Sequence, residues 1–214
     1  MKVAIIGTGN VGSALGGSFA RAGHEVTFAA RDAEKTEQVA QAVGAQAAPS
    51  PAAAASAADV IVLAVPYGEA DAVAHEIAPA TAGKVVIDTT NPLKADYTGL
   101  ATEGGPSGAE RLASVVDGRV VKAFNTLFAG VQGNPETLGM TLDALFATDD
   151  PEARATVATL AESVGFRPVY VGPLAAAREL EAMAWLNIRL QLLTNGSWQT
   201  AFVLVAPPAA ATEA

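Results

Sequence analysis

Residues 1–31 read MKVAIIGTGNVGSALGGSFARAGHEVTFAAR, and this stretch decides the fold. A buried-strand pattern over Lys2 to Ile6 runs directly into Gly7-Thr8-Gly9-Asn10-Val11-Gly12, a GxGxxG turn. Val11, Leu15 and Phe19 then fall on one face of a helix, and a second strand pattern follows Gly23 over residues 25–29. In this strand–turn–helix setting the three glycines act differently. Gly7 permits the tight turn, Gly9 lets a pyrophosphate approach the backbone, and Gly12 lets the helix pack close to the strand. The helix start offers free N–H groups and the positive end of its dipole to phosphates. The pattern predicts a Rossmann-type dinucleotide site.

The end of the second strand speaks to which dinucleotide. An NAD site usually carries an acid there for the ribose 2′-OH, whereas an NADP site has small residues and a cation. This chain reads Phe28-Ala29-Ala30-Arg31-Asp32, with Lys35 one turn on. The planar fork of Arg31 suits an adenine face and a 2′-phosphate. The plainer reading has Arg31 at the sheet edge, paired with Asp32 or Glu34, and an inward Asp32 would serve NAD instead. NADP is the preferred nucleotide.

Outward from that unit the chain alternates helix and strand. Residues 33–43 read as an exposed helix, and the alanine-rich 45–58 as a short strand, a turn and a short helix. DVIVLAV at 59–65 is a continuous apolar run, the mark of a parallel strand covered on both faces. Pro66 and Tyr67 follow at its C-terminal end, where ligands of open α/β sheets sit; Ala64 to Tyr67, with Val65 and Pro66 between, either lie against the nicotinamide ribose, or Pro66 simply ends the strand and Tyr67 joins the core. The next strand, 84–88, closes on Thr89-Thr90-Asn91-Pro92, where Asn91 either binds the nucleotide or makes an Asx turn. Residues 96–108 form the one loop long enough to cover a substrate, and Ser107 with Glu110 has capping-box spacing. Strands over 119–124 and 142–147, a helix from Pro151 to about residue 163, a strand near 165–171 and a long helix from about 173 to 193 complete the order. In that last helix Leu180, Met183, Leu186 and Leu190 read as plain core. Asn195-Gly196 ends it, and 206–214 reads as a frayed tail.

The expected fold is therefore α/β: a Rossmann-type doubly wound, mostly parallel sheet in a nucleotide domain over 1–148. A small C-terminal α/β appendage, 149–214, closes the substrate pocket. A net charge of −9 argues against a nucleic-acid surface. The absence of cysteine excludes disulfides, thiol catalysis and zinc–thiolate sites. There is no secretion signal and no apolar run of about 18 residues or more, so a soluble, cytoplasmic protein without membrane contact is expected. The apolar C-terminal helix suggests a homodimer.

Catalytic constellations are scarce. His24 and His75 fall at positions typical of surface residues, and no Ser-His-Asp set, Walker loop or metal-ligand spacing is present. An alcohol dehydrogenase needs a proton acceptor, whereas hydride exchange between two flat rings needs only their alignment. The expectation is of an enzyme with no catalytic side chain and no metal.

The segments GTGNVGSALG, AARDAEK, LAVPYGEADAV, VVIDTTNPL, SGAE, VVKAFNT and VGPLAAARELEAMAWL, in this order, resemble the NADPH-dependent reductases of coenzyme F420, a deazaflavin. VVKAFN and the DTTNP loop also resemble the cytosolic domain of membrane ferric reductases that use NADPH and an ordinary flavin, FMN or FAD. The resemblance implies an NADP-dependent oxidoreductase with F420 as co-substrate, the alternatives being a flavin or ferric reductase-like enzyme and a non-catalytic NADP-binding redox sensor. It implies that Gly7, Thr8, Gly9, Asn10 and Val11 hold the pyrophosphate, and that Arg31 with Ala30 and Lys35 reads the 2′-phosphate. It further implies that Ala64, Val65, Pro66, Asn91 and Pro92 line ribose and nicotinamide, and that Ala123, Phe124 and Asn125 flank the ring. Asn125, Thr126 and Leu127 would meet the small-molecule redox carrier, with Trp198 at the pocket mouth. Ala30 stands where relatives often carry Ser or Thr, and Asn125 where archaeal members carry His.

Overall fold

The computed structural model describes residues 1–102 and 104–205; the tail 206–214 lies outside the described residues. The strands are β1 Lys2–Ile6, β2 Glu25–Ala29, β3 Gln46–Ala47, β4 Val60–Leu63, β5 Val85–Asp88, β6 Arg119–Ala123, β7 Asp143–Ala147 and β8 Arg167–Tyr170. They form one sheet in the order β3-β2-β1-β4-β5-β6-β7-β8. Neighbours are parallel except β6 and β7, which pair antiparallel through Lys122↔Ala147 and Ala123↔Phe146. The chain order reverses between β1 and β4, which opens a crevice at their C-terminal ends.

The helices are α1 Asn10–Arg21, α2 Ala33–Ala42, α3 Pro51–Ala57, α4 Tyr67–Ile77, α5 Gly108–Ala113, α6 Ala129–Gly133, α7 Pro151–Ser163 and α8 Ala177–Thr194. Successive strand residues point to opposite faces, and the core divides accordingly. Val3, Ile5, Val62 and Phe146 pack with Leu15 and Phe19 of α1, Val131 of α6 and Val157 of α7. On the other face Ala4, Ile6, Ile61 and Val86 pack with the small α3 and with Ala74, Ile77 and Leu112 of α4 and α5. Both faces are covered, which is why β4 carries four apolar residues, all buried. Alanine in α3 lets that helix sit close, with Ala54 and Ala55 fully buried.

Local chemistry accounts for the helix starts. Asp32, Ser50 and Asp150 cap α2, α3 and α7 by accepting from backbone N–H groups three residues on. Ser107 and Glu110 form the reciprocal capping box of α5. Asn195, left-handed at φ 49°, ends α8.

The expectation for the face of α8 needs correction. Leu180 is buried, but Leu186 and Leu190 are 49% and 44% exposed. The inward face carries Ala184, Asn187, Ile188 and Gln191 instead. Its amides are satisfied by the strap that follows the helix: Thr200 Oγ1 donates to Asn187 Oδ1 at 2.6 Å, Gln191 Nε2 donates to Thr200 Oγ1 at 2.9 Å, and Trp198 N donates to Gln191 Oε1 at 3.1 Å. Polar side chains turn inward where the chain folds back to meet them, and the leucines are left outside.

Candidate active site

The glycine turn leads from β1 into α1. Gly7 has φ +119°, and a Cβ there would lie 2.2 Å from the Ala64 carbonyl oxygen at the end of β4. A Cβ on Gly12 would lie 2.1 Å from the Gly7 carbonyl oxygen. Both glycines are therefore demanded by the packing itself. Gly9 differs: nothing stands within 4 Å of its would-be Cβ. It caps α1 without a side-chain hydrogen bond, and no acid sits in the first turn. The packing leaves an open cradle faced by free helix N–H groups, which fits a pyrophosphate.

After β2, Asp32 is exposed and its Oδ1 accepts from Lys35 N at 3.0 Å as the cap of α2. Arg31 and Lys35 are exposed and Ala30 is half-buried. Arg31 pairs with neither Asp32 nor Glu34: Nη2 donates to Glu69 Oε1 on α4 at 2.5 Å. Ala64 is buried, Val65 half-buried and Pro66 exposed ahead of α4.

Beyond the crest opens a cavity of about 740 Å³. Asn10 and Val11 border it at the start of α1, Thr89 and Asn91 after β5, and Asn125, Thr126, Leu127 and Phe128 after β6. Ala184, Ile188 and Leu192 of α8 form one wall, and Tyr97 and Trp198 stand at the rim. Among the described residues that line it, none is an acid, a lysine, an arginine or a histidine. Asn91 and Asn125, predicted from separate strands, meet here: Asn125 Nδ2 donates to Asn91 Oδ1 at 3.0 Å, and Asn91 Nδ2 to the Asn125 carbonyl at 3.1 Å. Asn125 Nδ2 also reaches the Leu180 carbonyl at 3.1 Å, while its Oδ1 is buried without a partner among the described residues. Pro92 is buried beside Asn91. Ala123 and Phe124 lie beneath the cavity, fully buried in the core, and do not line it.

Strain gathers around this cavity. Tyr97, Phe124 and Trp198 hold φ of 55°, 61° and 56°, a region that side chains seldom occupy and that surrounding contacts must enforce. For Phe124 the enforcing group is Gln132 on α6. Its Nε2 donates to the Phe124 and Leu127 carbonyls, both at 2.9 Å, and so clamps the turn that carries Asn125 and Thr126. Trp198 packs edge-on against Phe128, with centroids 5.3 Å apart.

Comparison with known proteins accords with this geometry. The family described as NADP oxidoreductase, coenzyme F420-dependent, matches residues 2–92. The F420-dependent NADP reductase of Methanothermobacter thermautotrophicus is 36% identical over 212 residues, covering 90% of this chain and 90% of that one. The chain belongs to the F420-dependent NADP reductase family. A crystal structure from Arthrobacter sp. FB24, whose protein carries the provisional name F420-dependent NADP-reductase, superposes with a TM-score of 0.85 at 28% identity, covering 96% of this chain and all (100%) of the other. The metalloreductase STEAP3 of Rattus norvegicus is 31% identical over 205 residues, which is 95% of this chain and 39% of that protein.

In this member of the family the sequence reading missed a buried ionic cluster. Lys122 of β6 is fully buried, and its Nζ donates to Asp88 Oδ2 at 3.0 Å, to the Thr90 carbonyl at 2.5 Å and to Glu181 Oε1 of α8 at 2.9 Å. Gly108 N, at the start of α5, also donates to Glu181 Oε1 at 2.8 Å. Burial, and next the neighbouring Asp88 charge, push the Glu181 carboxyl above the ordinary carboxylate range, against the pull of Lys122. The cluster ties α8 to the loop that carries Asn91. Its sequence signal is slight: an aspartate that ends the apolar run VVI of β5 and a lysine next to VV in β6.

Proposed function

We propose that the protein transfers a hydride between NADPH and the deazaflavin coenzyme F420, holding the two rings face to face in the cavity beyond its glycine turn. The observation that carries this reading is the wide cavity, continuous with the crest at Asn10 and Val11 and lined, among the described residues, without any acid, histidine or cation. At about 740 Å³ it has the size of a small-molecule site. When both coenzymes are bound, the nicotinamide and the deazaflavin supply the redox chemistry. The side chains hold, orient and exclude water.

In this reading Gly7, Thr8, Gly9, Asn10 and Val11 cradle the pyrophosphate, and Arg31 with Lys35, beside Ala30, binds the 2′-phosphate. Ala64, Val65 and Pro66 border the ribose, Asn91, Pro92 and Asn125 orient the nicotinamide, and Ala123 and Phe124 support it from below. Asn125, Thr126, Leu127 and Trp198 meet the acceptor. Residues 1–148 serve as the nucleotide-binding unit, and 149–214 as the unit that closes the pocket. The outward Leu186, Leu190 and Leu193, each at least 44% exposed along one side of α8, are the surface through which we assign a homodimer. No described helix is long and apolar enough to cross a membrane, and a cytoplasmic location is the address we assign.

The test is to mix the protein with NADPH and oxidised F420 and follow the deazaflavin absorbance. Bleaching with F420 but not with FMN or FAD is expected. A second reading, reduction of an ordinary flavin in a ferric reductase-like reaction, draws on the likeness to the rat metalloreductase; bleaching of flavin alone would favour it. Binding of NADPH with neither acceptor reduced would refute both.

A further inference from the structure

The Arg31 guanidinium already has a partner. Across the cleft between the end of β2 and the first turn of α4 it donates to Glu69 Oε1 at 2.5 Å. The nearer acids are otherwise engaged: Asp32 caps α2, and Glu34 Oε1 accepts from Gln38 Nε2 at 3.3 Å. Glu69 stands in the first turn of α4, where the helix dipole favours its charge. Its side chain is 35% exposed, whereas that of Arg31 is 81% exposed. The carboxylate is the better anchored of the two, and the arginine is the free arm.

We propose that Glu69 is a selectivity residue of the nucleotide site: it neutralises Arg31 in the free protein, and the 2′-phosphate of NADPH must displace it. The inference rests on the reading of Arg31 as the 2′-phosphate ligand. A dianionic phosphate that approaches Arg31 meets a carboxylate already on the guanidinium, so it must break that ion pair and then tolerate an anion nearby. NADH, with a hydroxyl at the same position, meets neither demand. Glu69 therefore narrows the preference for NADP over NAD below what Arg31 and Lys35 alone would set. Exposed ion pairs are individually weak, and the effect is accordingly modest and sensitive to salt.

The experiment measures Kd for NADPH and NADH on the full chain by titration calorimetry, for wild type, Glu69→Gln, Arg31→Ala and the double variant. Glu69→Gln is expected to bind NADPH about two- to fivefold more tightly, the range that an exposed ion pair is worth, with NADH unchanged. The gain should shrink in high salt and in the Arg31→Ala background. Unchanged or weaker NADPH binding in Glu69→Gln overturns the proposal, the weaker case meaning that Glu69 buttresses Arg31 for the phosphate. An undiminished gain in the Arg31→Ala background also overturns it, because the carboxylate would then act without the arginine. If Arg31→Ala alone weakens NADPH and NADH equally, the 2′-phosphate reading itself falls, whatever Glu69 does.

Discussion

Replacing Lys122 with methionine keeps much of the apolar stem and deletes one buried charge. The ammonium it removes serves three acceptors, Asp88 Oδ2 at 3.0 Å, the Thr90 carbonyl at 2.5 Å and Glu181 Oε1 at 2.9 Å, in a site where neither carboxylate is more than 1% exposed. Breaking a buried ion pair by removing one partner costs about 3–5 kcal/mol, because the other charge is left without compensation. Two features reduce the loss here. Thr90 N still donates to Asp88 Oδ1 at 2.8 Å and Gly108 N to Glu181 Oε1 at 2.8 Å. Burial already raises the Glu181 carboxyl, so a proton can neutralise it. The lower end, about 3 kcal/mol, is therefore expected at pH 7.5. That is a large part of a total stability of about 5–15 kcal/mol.

Urea unfolding at constant m-value reads this loss directly. A carboxyl whose folded pKa is raised contributes stability that is fully present below its ordinary pKa and is lost as pH rises towards the folded value. The deficit of Lys122→Met should accordingly shrink between pH 7.5 and pH 5. Adding Glu181→Gln should recover part of it, since the variant then leaves one less unpaired anion. A deficit below about 1 kcal/mol, well under the range for a broken buried pair, would refute the reasoning. So would a double variant that is simply the sum of the two single ones, which would mean that lysine and glutamate are not coupled.

Gly9→Ala is predicted to fold with an unchanged Tm and to lose NADPH binding by at least about tenfold, because its Cβ meets open space that the pyrophosphate needs. Gly7→Ala, by contrast, should fail to accumulate as folded protein, with its Cβ 2.2 Å from the Ala64 carbonyl oxygen; thermal melts of the two variants separate these outcomes. The hydrogen bond from Arg178 holds the Glu110 carboxyl down to about 2, and this contribution is present above the ordinary carboxylate pKa and lost as pH falls through about 2. Because the Arg178 side chain is 53% exposed, screening limits Glu110→Gln to a loss of about 1 kcal/mol at pH 7, vanishing near pH 2 in acid titration of Tm. Trp198→Ala removes the edge contact with Phe128, and steady-state kinetics should show the KM for F420 rising about two- to tenfold, the worth of one aromatic pair, with the KM for NADPH unchanged.

The parts of the site legible in the sequence are those fixed by neighbours along the chain. The glycine turn, the capping box at Ser107 and Glu110 and the apolar strands rest on contacts a few residues apart, and they stood in the sequence as spacing. The loops at Asn91 and Asn125 were legible because each follows the end of a predicted strand, and the fold brings the two side chains together. The face of α8 was misread, since Asn187 and Gln191 turn inward only once the strap at Trp198 and Thr200 is in place. Gln132 was not legible at all: its amide clamps a strained turn whose existence no local pattern announces.

The sequence by itself determined a strand, a tight turn and a helix in series, repeated by further parallel strands, and with them a nucleotide crest. Hydrophobic period and glycine placement are properties of neighbours along the chain. Only the tertiary structure decided where charges go. Lys122 finds its carboxylates 34 and 59 residues away, and Arg31 finds Glu69 across 38. A buried or cleft-bound charge is settled by whichever partner the folded chain brings within hydrogen-bond reach, and that distance is written nowhere in the local pattern.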